Sequence, residues 1–276
     1  MAYATGFSYI RRDRLPHISC GGCGNGIIVG ALTRAFEEMG LGRNEVVFVP
    51  GIGCSGSMDR IININNLHST HGRSLAYATG IKAANPELQV VSFVGDGDGS
   101  TIGGNHLIHA ARRNIGITVI LVNNFNYGMT GGQVSATTPN GAITSTTYVG
   151  NPEHGFDLCQ LVAAAGGSFV ARETAVAGQR LKTRIKEALA NPGFSFLEVI
   201  SPCTTLFGPR NKLKTPVDML NWLKEKALPA AKYDSLENAA GQGYFKVGVF
   251  ADTKRPSYNE SYEQARQRAL AAQGGK

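Results

Sequence analysis

The stretch 91–133, VSFVGDGDGSTIGGNHLIHAARRNIGITVILVNNFNYGMTGGQ, concentrates residues that can do chemistry. Asp96 and the amide oxygen of Asn124 are hard oxygen donors of the kind Mg²⁺ selects, an ion that takes one or two carboxylates and completes its shell with substrate phosphates. The glycines in Gly95-Asp96-Gly97-Asp98-Gly99 let backbone N–H groups approach phosphate oxygens closely. A helix beginning near Thr101 adds the positive end of its dipole. Together these residues point to a divalent cation holding a diphosphate.

The elements that must position them can be read from the apolar pattern. A run over 89–94 breaks at the Gly-Asp cluster, a helical pattern follows to Asn114, and a second run over 117–122 ends in Asn123-Asn124. That is a strand, turn, helix, strand unit. Parallel neighbouring strands put their carboxyl ends on one edge, where open α/β sheets bind ligands. An ordinary Rossmann-like unit with acidic turns would account for the elements but not for the glycines and aspartates.

Four of the five cysteines sit in Gly- or Pro-containing loops: Cys20 and Cys23 in CGGCGNG, Cys54 in GCSG, and Cys203 after Pro202. The fifth, Cys159, lies in a helical apolar pattern and reads as core filling. A CxxC before a helix (here 25–39) suits a redox dithiol, half of a zinc site or half of an iron–sulfur site, so the pair alone decides little. Buried strands over 46–49 and 194–200 lead into Cys54 and Cys203. If both join the sheet of the Asp96 unit, three loops bring four thiolates to the edge that carries Asp96 and Asn124.

The segment from Asp96-Gly97 to Asn123-Asn124 resembles the thiamine diphosphate motif. The wider text, with GIGCSG at 51–56, THGR at 70–73, GGNHLIHAARRN at 103–114 and YGMTGGQ at 127–133, resembles the β subunit of 2-oxoacid:ferredoxin oxidoreductases over about 16–213. The resemblance implies a parallel-sheet thiamine diphosphate-binding α/β domain with helices on both faces, spanning 1–213 with its N-terminal arm, and a helical extension or tail over 214–276. It implies that Asp96, Asn124 and the carbonyl of Asn126 hold Mg²⁺, and that Cys20, Cys23, Cys54 and Cys203 ligate one [4Fe-4S] cluster, in line with Cys₄ ligation of such clusters. The cofactor is expected against Gly53, Ser55, His71, Gly95, Asp96, Gly97, Asp98, Asn124, Tyr127, Gly128, Met129 and Thr130, with His71 as the catalytic candidate. The implied reaction is CoA-dependent oxidative decarboxylation of a 2-oxo acid, with electrons passing to ferredoxin. An α subunit is expected to supply the pyrimidine-binding domain, with small ferredoxin-like subunits as further members of the assembly. The rival readings are a non-redox thiamine diphosphate decarboxylase or carboligase subunit with a zinc Cys₄ site, and a non-catalytic interaction subunit.

One departure bears on the substrate. Many members of the family carry Lys or Arg three residues after the third cysteine, near the substrate carboxylate; here the residue is Ser57, with Arg60 further on. This leaves 2-oxoglutarate and a branched-chain or apolar 2-oxo acid both open.

The 276 residues suffice for one large α/β domain. The net charge of +7 is dispersed, with short clusters at 11–14 and 212–214 and no stripe or module for nucleic acid. A basic rim suits an acidic electron carrier or the phosphates of coenzyme A. No apolar stretch approaches a membrane span, and MAYATGFSYIRRDR places its charges after its apolar residues, the wrong order for a signal peptide. The expected location is the cytoplasm. His68 is a further candidate near the site, whereas His106 and His109 share a helix face and read as structural.

Overall fold

A computed structural model describes residues 5–274. In chain order its helices and strands are α1 Asn25–Glu38, β1 Val46–Pro50, β2 Asn65–Asn66, α2 Ser74–Ala84, β3 Gln89–Gly95, α3 Gly104–Arg112, β4 Thr118–Asn123, α4 Leu158–Ala164, β5 Phe169–Thr174, α5 Gln179–Ala190, β6 Ser195–Ile200, α6 Phe207–Arg210, α7 Pro216–Lys226, β7 Ala227–Pro229, α8 Ala230–Asp234, β8 Phe245–Asp252 and α9 Tyr258–Gly274. The eight strands form one sheet in the order β2-β1-β3-β4-β6-β5-β8-β7. From β2 to β5 every pairing is parallel.

The apolar runs are continuous because the sheet is covered on both sides, as parallel sheets require. Val91, Phe93, Ile120, Val122, Leu197 and Val199 face α1 and α5. The alternate residues Val90, Val94, Val119, Leu121 and Phe196 face α2, α3 and α4. Helix boundaries follow backbone exceptions. Gly72 takes φ +72 and delays α2 to Ser74, and Gly178, at φ +56, separates α5 from a short 3-10 turn at Ala175–Ala177.

The segment beyond 213 differs from the expected helical extension. It contributes β7 and β8, and β8 pairs antiparallel with β5, covering what would otherwise be an open sheet edge. The alternation of FKVGVFAD carries that strand's period-2 signal. The segment is also packed into the core: Met219 and Leu223 of α7 join Phe125, Ile200 and Phe207 in a third apolar cluster. The start of α7 is secured by a reciprocal capping box between Thr215 and Asp218. Among the described residues, no helix is long and apolar enough to cross a membrane.

Candidate cofactor site

The four adjacent parallel strands β1, β3, β4 and β6 end on one edge. Into that edge run the loops bearing Cys54, Asp96, Asn124 and Cys203, while the Cys20–Cys23 loop enters it just ahead of α1.

The Asp96 carboxylate is 1% exposed. Its Oδ2 accepts hydroxyl hydrogen bonds from Ser135 at 2.5 Å and Thr137 at 2.7 Å, so its Oδ1 is left for another partner. Burial pushes the Asp96 carboxyl up to about 6, against the lowering effect of those two hydroxyls. One end of the Asn124 amide lies 3.1 Å from Asp96 Oδ1 and 2.7 Å from the Asn126 carbonyl oxygen. With nitrogen at that end, the amide would donate to both. In the orientation found, oxygen is there, and three acceptor oxygens converge with no proton between them. Ligands 2.0–2.1 Å from an octahedral Mg²⁺ sit about 2.9 Å apart along an edge, which the two separations bracket. The donor set therefore fits the ion that the sequence motif implies.

The convergence depends on a bent backbone. Phe125 takes φ +65, rare for a bulky residue, and brings the Asn126 carbonyl back beside the Asn124 side chain. Two features hold the bend. The Asn123 Oδ1 accepts the Phe125 N–H at 3.1 Å, and the Phe125 ring packs among Phe207, Trp222 and Phe245 at centroid distances of 5.2, 6.1 and 5.7 Å.

One cleft is lined by Gly53, Ser55, His71, Gly95, Asp96, Gly97, Asp98, Asn124, Tyr127, Gly128, Met129 and Thr130, the whole set expected to contact the cofactor, together with Cys54 and Asn126. His71 Nδ1 lies 2.6 Å from Asp98 Oδ1, which also accepts the Gly72 N–H at 2.7 Å. With Asp98 ionised, Nδ1 carries the proton and Nε2 is left as the acceptor. Asp98 is 2% exposed, and its Oδ2 has no hydrogen-bond partner among the described residues. That oxygen lies against Gly51, where a Cβ would stand 1.6 Å from it, so only glycine fits there. The Tyr127 hydroxyl donates to the Gly97 carbonyl at 3.1 Å. His68 instead faces outward and pairs with Asp59 at 2.7 Å.

Cys20, Cys23, Cys54 and Cys203 line one neighbouring cavity of about 210 Å³, and Asn124, Gly128 and Met129 line it too. The exposed thiol of the four is Cys20; the others are half-buried. Burial, and then the neighbouring Cys23, Cys203 and Cys20, push the Cys54 thiol up to about 11, and burial likewise raises Cys23. A redox-active dithiol needs a lowered pKa, which neither Cys23 nor Cys54 has. Among the described residues, no three His, Cys, Asp or Glu side chains converge as around a single ion. Gly128 joins this cavity to the cleft: a Cβ there would lie 3.4 Å from Cys54 Sγ and 3.5 Å from Asn124 Nδ2. Cys159 is fully buried, and its thiol donates to Glu198 Oε2 at 3.4 Å.

Sequence reading missed several contributors. Ser135 and Thr137 lie in the long loop after Asn124, where no local pattern marks which hydroxyls face Asp96. Asn25, 1% exposed, lines the cleft with an unpartnered Oδ1. Its only signal is its place in CGGCGNG. Ser57 lines neither the cleft nor the cysteine cavity. It borders a separate basic cavity with Arg11, Arg14, His17 and Arg60.

A parallel α/β sheet carrying an oxygen-donor trio and a glycine cradle at its carboxyl edge defines a diphosphate-binding enzyme domain. Residues 51–199 match the family described as thiamine pyrophosphate enzyme, C-terminal TPP binding domain. The 2-oxoglutarate synthase subunit KorB of Methanothermobacter marburgensis is 48% identical over 248 residues, covering 90% of this chain and 87% of that one. The subunit of that name from Methanocaldococcus jannaschii is 45% identical over 252 residues, covering 91% and 93%. A structure of 2-oxoglutarate:ferredoxin oxidoreductase from Magnetococcus marinus, with 2-oxoglutarate, coenzyme A and succinyl-CoA bound, superposes with a TM-score of 0.85. Its identity is 28%, with 98% of this chain and 92% of that one covered. The chain belongs to the thiamine diphosphate-binding β subunits of the 2-oxoacid:ferredoxin oxidoreductases and is a subunit of an oxidoreductase.

Proposed function

We propose that this chain is the cofactor-bearing half of a CoA-dependent 2-oxoglutarate:ferredoxin oxidoreductase, and that Cys20, Cys23, Cys54 and Cys203 hold a [4Fe-4S] cluster beside its thiamine diphosphate. The observation that carries this reading is the shared wall at Gly128, which borders Cys54 on one side and Asn124 on the other. When bound, thiamine diphosphate supplies the electron sink that lets a 2-oxo acid lose CO₂, and an adjacent cluster removes the electrons singly.

The chain's own residues then have definite tasks. Asp96 Oδ1, Asn124 Oδ1 and the Asn126 carbonyl hold Mg²⁺ against the diphosphate. Gly95 and Gly97 admit the phosphates to the backbone, while Gly53, Ser55 and Tyr127 wall the cleft. His71, oriented by Asp98, keeps Nε2 available to exchange a proton with substrate. Met129 is half-exposed at the rim, where an α subunit carrying the pyrimidine-binding domain would close the site. The substrate assignment rests on the names of relatives 45–49% identical to this chain. Ferredoxin and coenzyme A are the matching electron acceptor and acyl acceptor, and thiols kept reduced for metal ligation suit the cytoplasm.

The test is turnover by the co-expressed αβ complex on a panel of 2-oxo acids with coenzyme A and a viologen dye. The expected complex is brown, and 2-oxoglutarate reduces the dye fastest. A colourless complex that releases CO₂ without reducing dye overturns the redox reading in favour of a lyase. Preference for a branched-chain substrate overturns the substrate assignment alone.

A further inference from the structure

Behind Asp96 runs a buried chain of polar groups that none of the roles above uses. Glu198 on β6, 1% exposed, faces Arg172 on β5, 6% exposed, in direct cross-strand register. Arg172 Nε donates to Glu198 Oε2 at 2.7 Å, and Arg172 Nη2 donates to Asp157 at 2.6 Å. The other Glu198 oxygen, Oε1, accepts from Asn123 Nδ2 at 2.7 Å. A buried Arg–Glu pair adds little stability over apolar residues of the same volume, so its retention at this place calls for another explanation.

An ionised carboxylate only accepts hydrogen bonds, so Glu198 forces the Asn123 amide to present nitrogen to it and oxygen to the opposite side. On that side Asn123 Oδ1 meets the Phe125 N–H at 3.1 Å and the Thr137 hydroxyl at 3.0 Å. Thr137 is also 2.7 Å from Asp96 Oδ2. One amide orientation therefore bears on both arms of the oxygen trio. It holds the left-handed Phe125 that aligns Asn124 with the Asn126 carbonyl, and it borders the hydroxyl that fixes Asp96.

We infer that Glu198 is a positioning residue for the Mg²⁺ site, acting through the orientation of the Asn123 amide. This deepens the proposed cofactor reading and rests on it. Glutamine at 198 can offer its single oxygen to Arg172 or to Asn123, but not to both. When the oxygen serves Arg172, its amide nitrogen meets the Asn123 nitrogen, and Asn123 turns over. The Phe125 N–H then loses its acceptor.

The experiment uses the co-expressed complex stripped with chelator, titrated with Mg²⁺ at fixed thiamine diphosphate, and read as cofactor retained after desalting. Glu198→Gln is expected to raise the Mg²⁺ midpoint about 10- to 100-fold, the usual effect of losing an outer-shell partner. Asn123→Asp, which sets two carboxylates against each other, should raise it further. The double variant Glu198→Gln/Asn123→Asp swaps amide and carboxylate while keeping every hydrogen bond, and should return the midpoint to near the wild-type value. Should Glu198→Gln fail to assemble, Asn123→Ser cuts the same link and leaves Glu198 with Arg172, and the same rise is expected. A midpoint unmoved in the single variants overturns the inference. So does a midpoint that changes only in step with the melting temperature of the metal-free complex. Absence of Mg²⁺-dependent retention in the wild-type complex would sink the cofactor reading itself, and this inference with it.

Discussion

The two halves of the candidate site are built in opposite ways. The oxygen site comes from the ends of two neighbouring strands, β3 and β4, and is braced by hydroxyls from Ser135 and Thr137, by the Asn123 amide and by a cluster of aromatic rings around Phe125. The cysteine site draws its members from three distant parts of the chain. Cys203 Sγ has one long contact at 3.9 Å to Asn126. The oxygen donors are held in place by these contacts to Ser135, Thr137 and Asn123, so the geometry that the proposed Mg²⁺ would use is already present in the chain. The cysteine site is a cavity lined by the four thiols, and in the proposed reading insertion of the cluster would do part of the ordering.

That contrast is broken most severely at Asp96. Asp96→Ala removes the single carboxylate of the trio, and Mg²⁺-dependent thiamine diphosphate retention by the αβ complex should disappear while iron content stays at the wild-type level. Iron and cofactor lost together would mean that the two halves do not assemble independently. The reciprocal change, Cys54→Ala, should abolish dye reduction and lower iron content while Mg²⁺-dependent cofactor binding persists. Retention of full iron with Cys54 gone would remove this residue from the ligand set.

A smaller effect is expected one layer out. Ser135→Ala takes one hydroxyl from a buried carboxylate, a hydrogen bond to a charged group worth about 1.5–3 kcal/mol. The Mg²⁺ midpoint should rise by about 10- to 100-fold as for other outer-shell losses, with the iron content unmoved. A midpoint unchanged in Ser135→Ala would show that Thr137 alone fixes Asp96, and the picture of a doubly braced carboxylate would fail.

The same contrast decides what the sequence could reveal. The oxygen site was legible as a candidate because its donor residues follow consecutive strands of one sheet unit, so motif and geometry are nearly the same statement. The cysteines were legible as candidates, but their meeting depended on β1 and β6 joining the sheet of β3 and β4, a tertiary fact that the family resemblance had to supply. The hydroxyls of Ser135 and Thr137 were hidden because an irregular loop has no periodicity to say which side chain turns inward. The Glu198–Asn123 link was hidden for a similar reason. Glu198 sits in a mostly apolar strand, and its partners on β4 and β5 come from strands whose adjacency the sequence does not state. The C-terminal segment was misjudged because the alternation of β8 is interrupted by Gly248 (φ +124), with its register against β5 shifting between Val249 and Ala251, and because that partner lies more than seventy residues earlier.

The gentlest test lies at the seam. Gly128 has neighbours from both halves, and a Cβ at 3.4 Å from Cys54 Sγ and 3.5 Å from Asn124 Nδ2 makes ordinary contacts on either side. Gly128→Ala should therefore be accepted, with iron content and Mg²⁺ midpoint both close to wild type. Gly128→Val places two further carbons between Cys54 and Asn124 and into the cleft and cavity that Gly128 borders, space the proposed cofactor and cluster would occupy. Because those carbons press on Cys54 and Asn124 together, iron content and cofactor retention should fall in parallel, unlike the selective losses from Asp96→Ala and Cys54→Ala. If Gly128→Val weakened one site and spared the other, the wall would be compliant on the spared side. The proposed apposition of cofactor and cluster would then lose its structural basis.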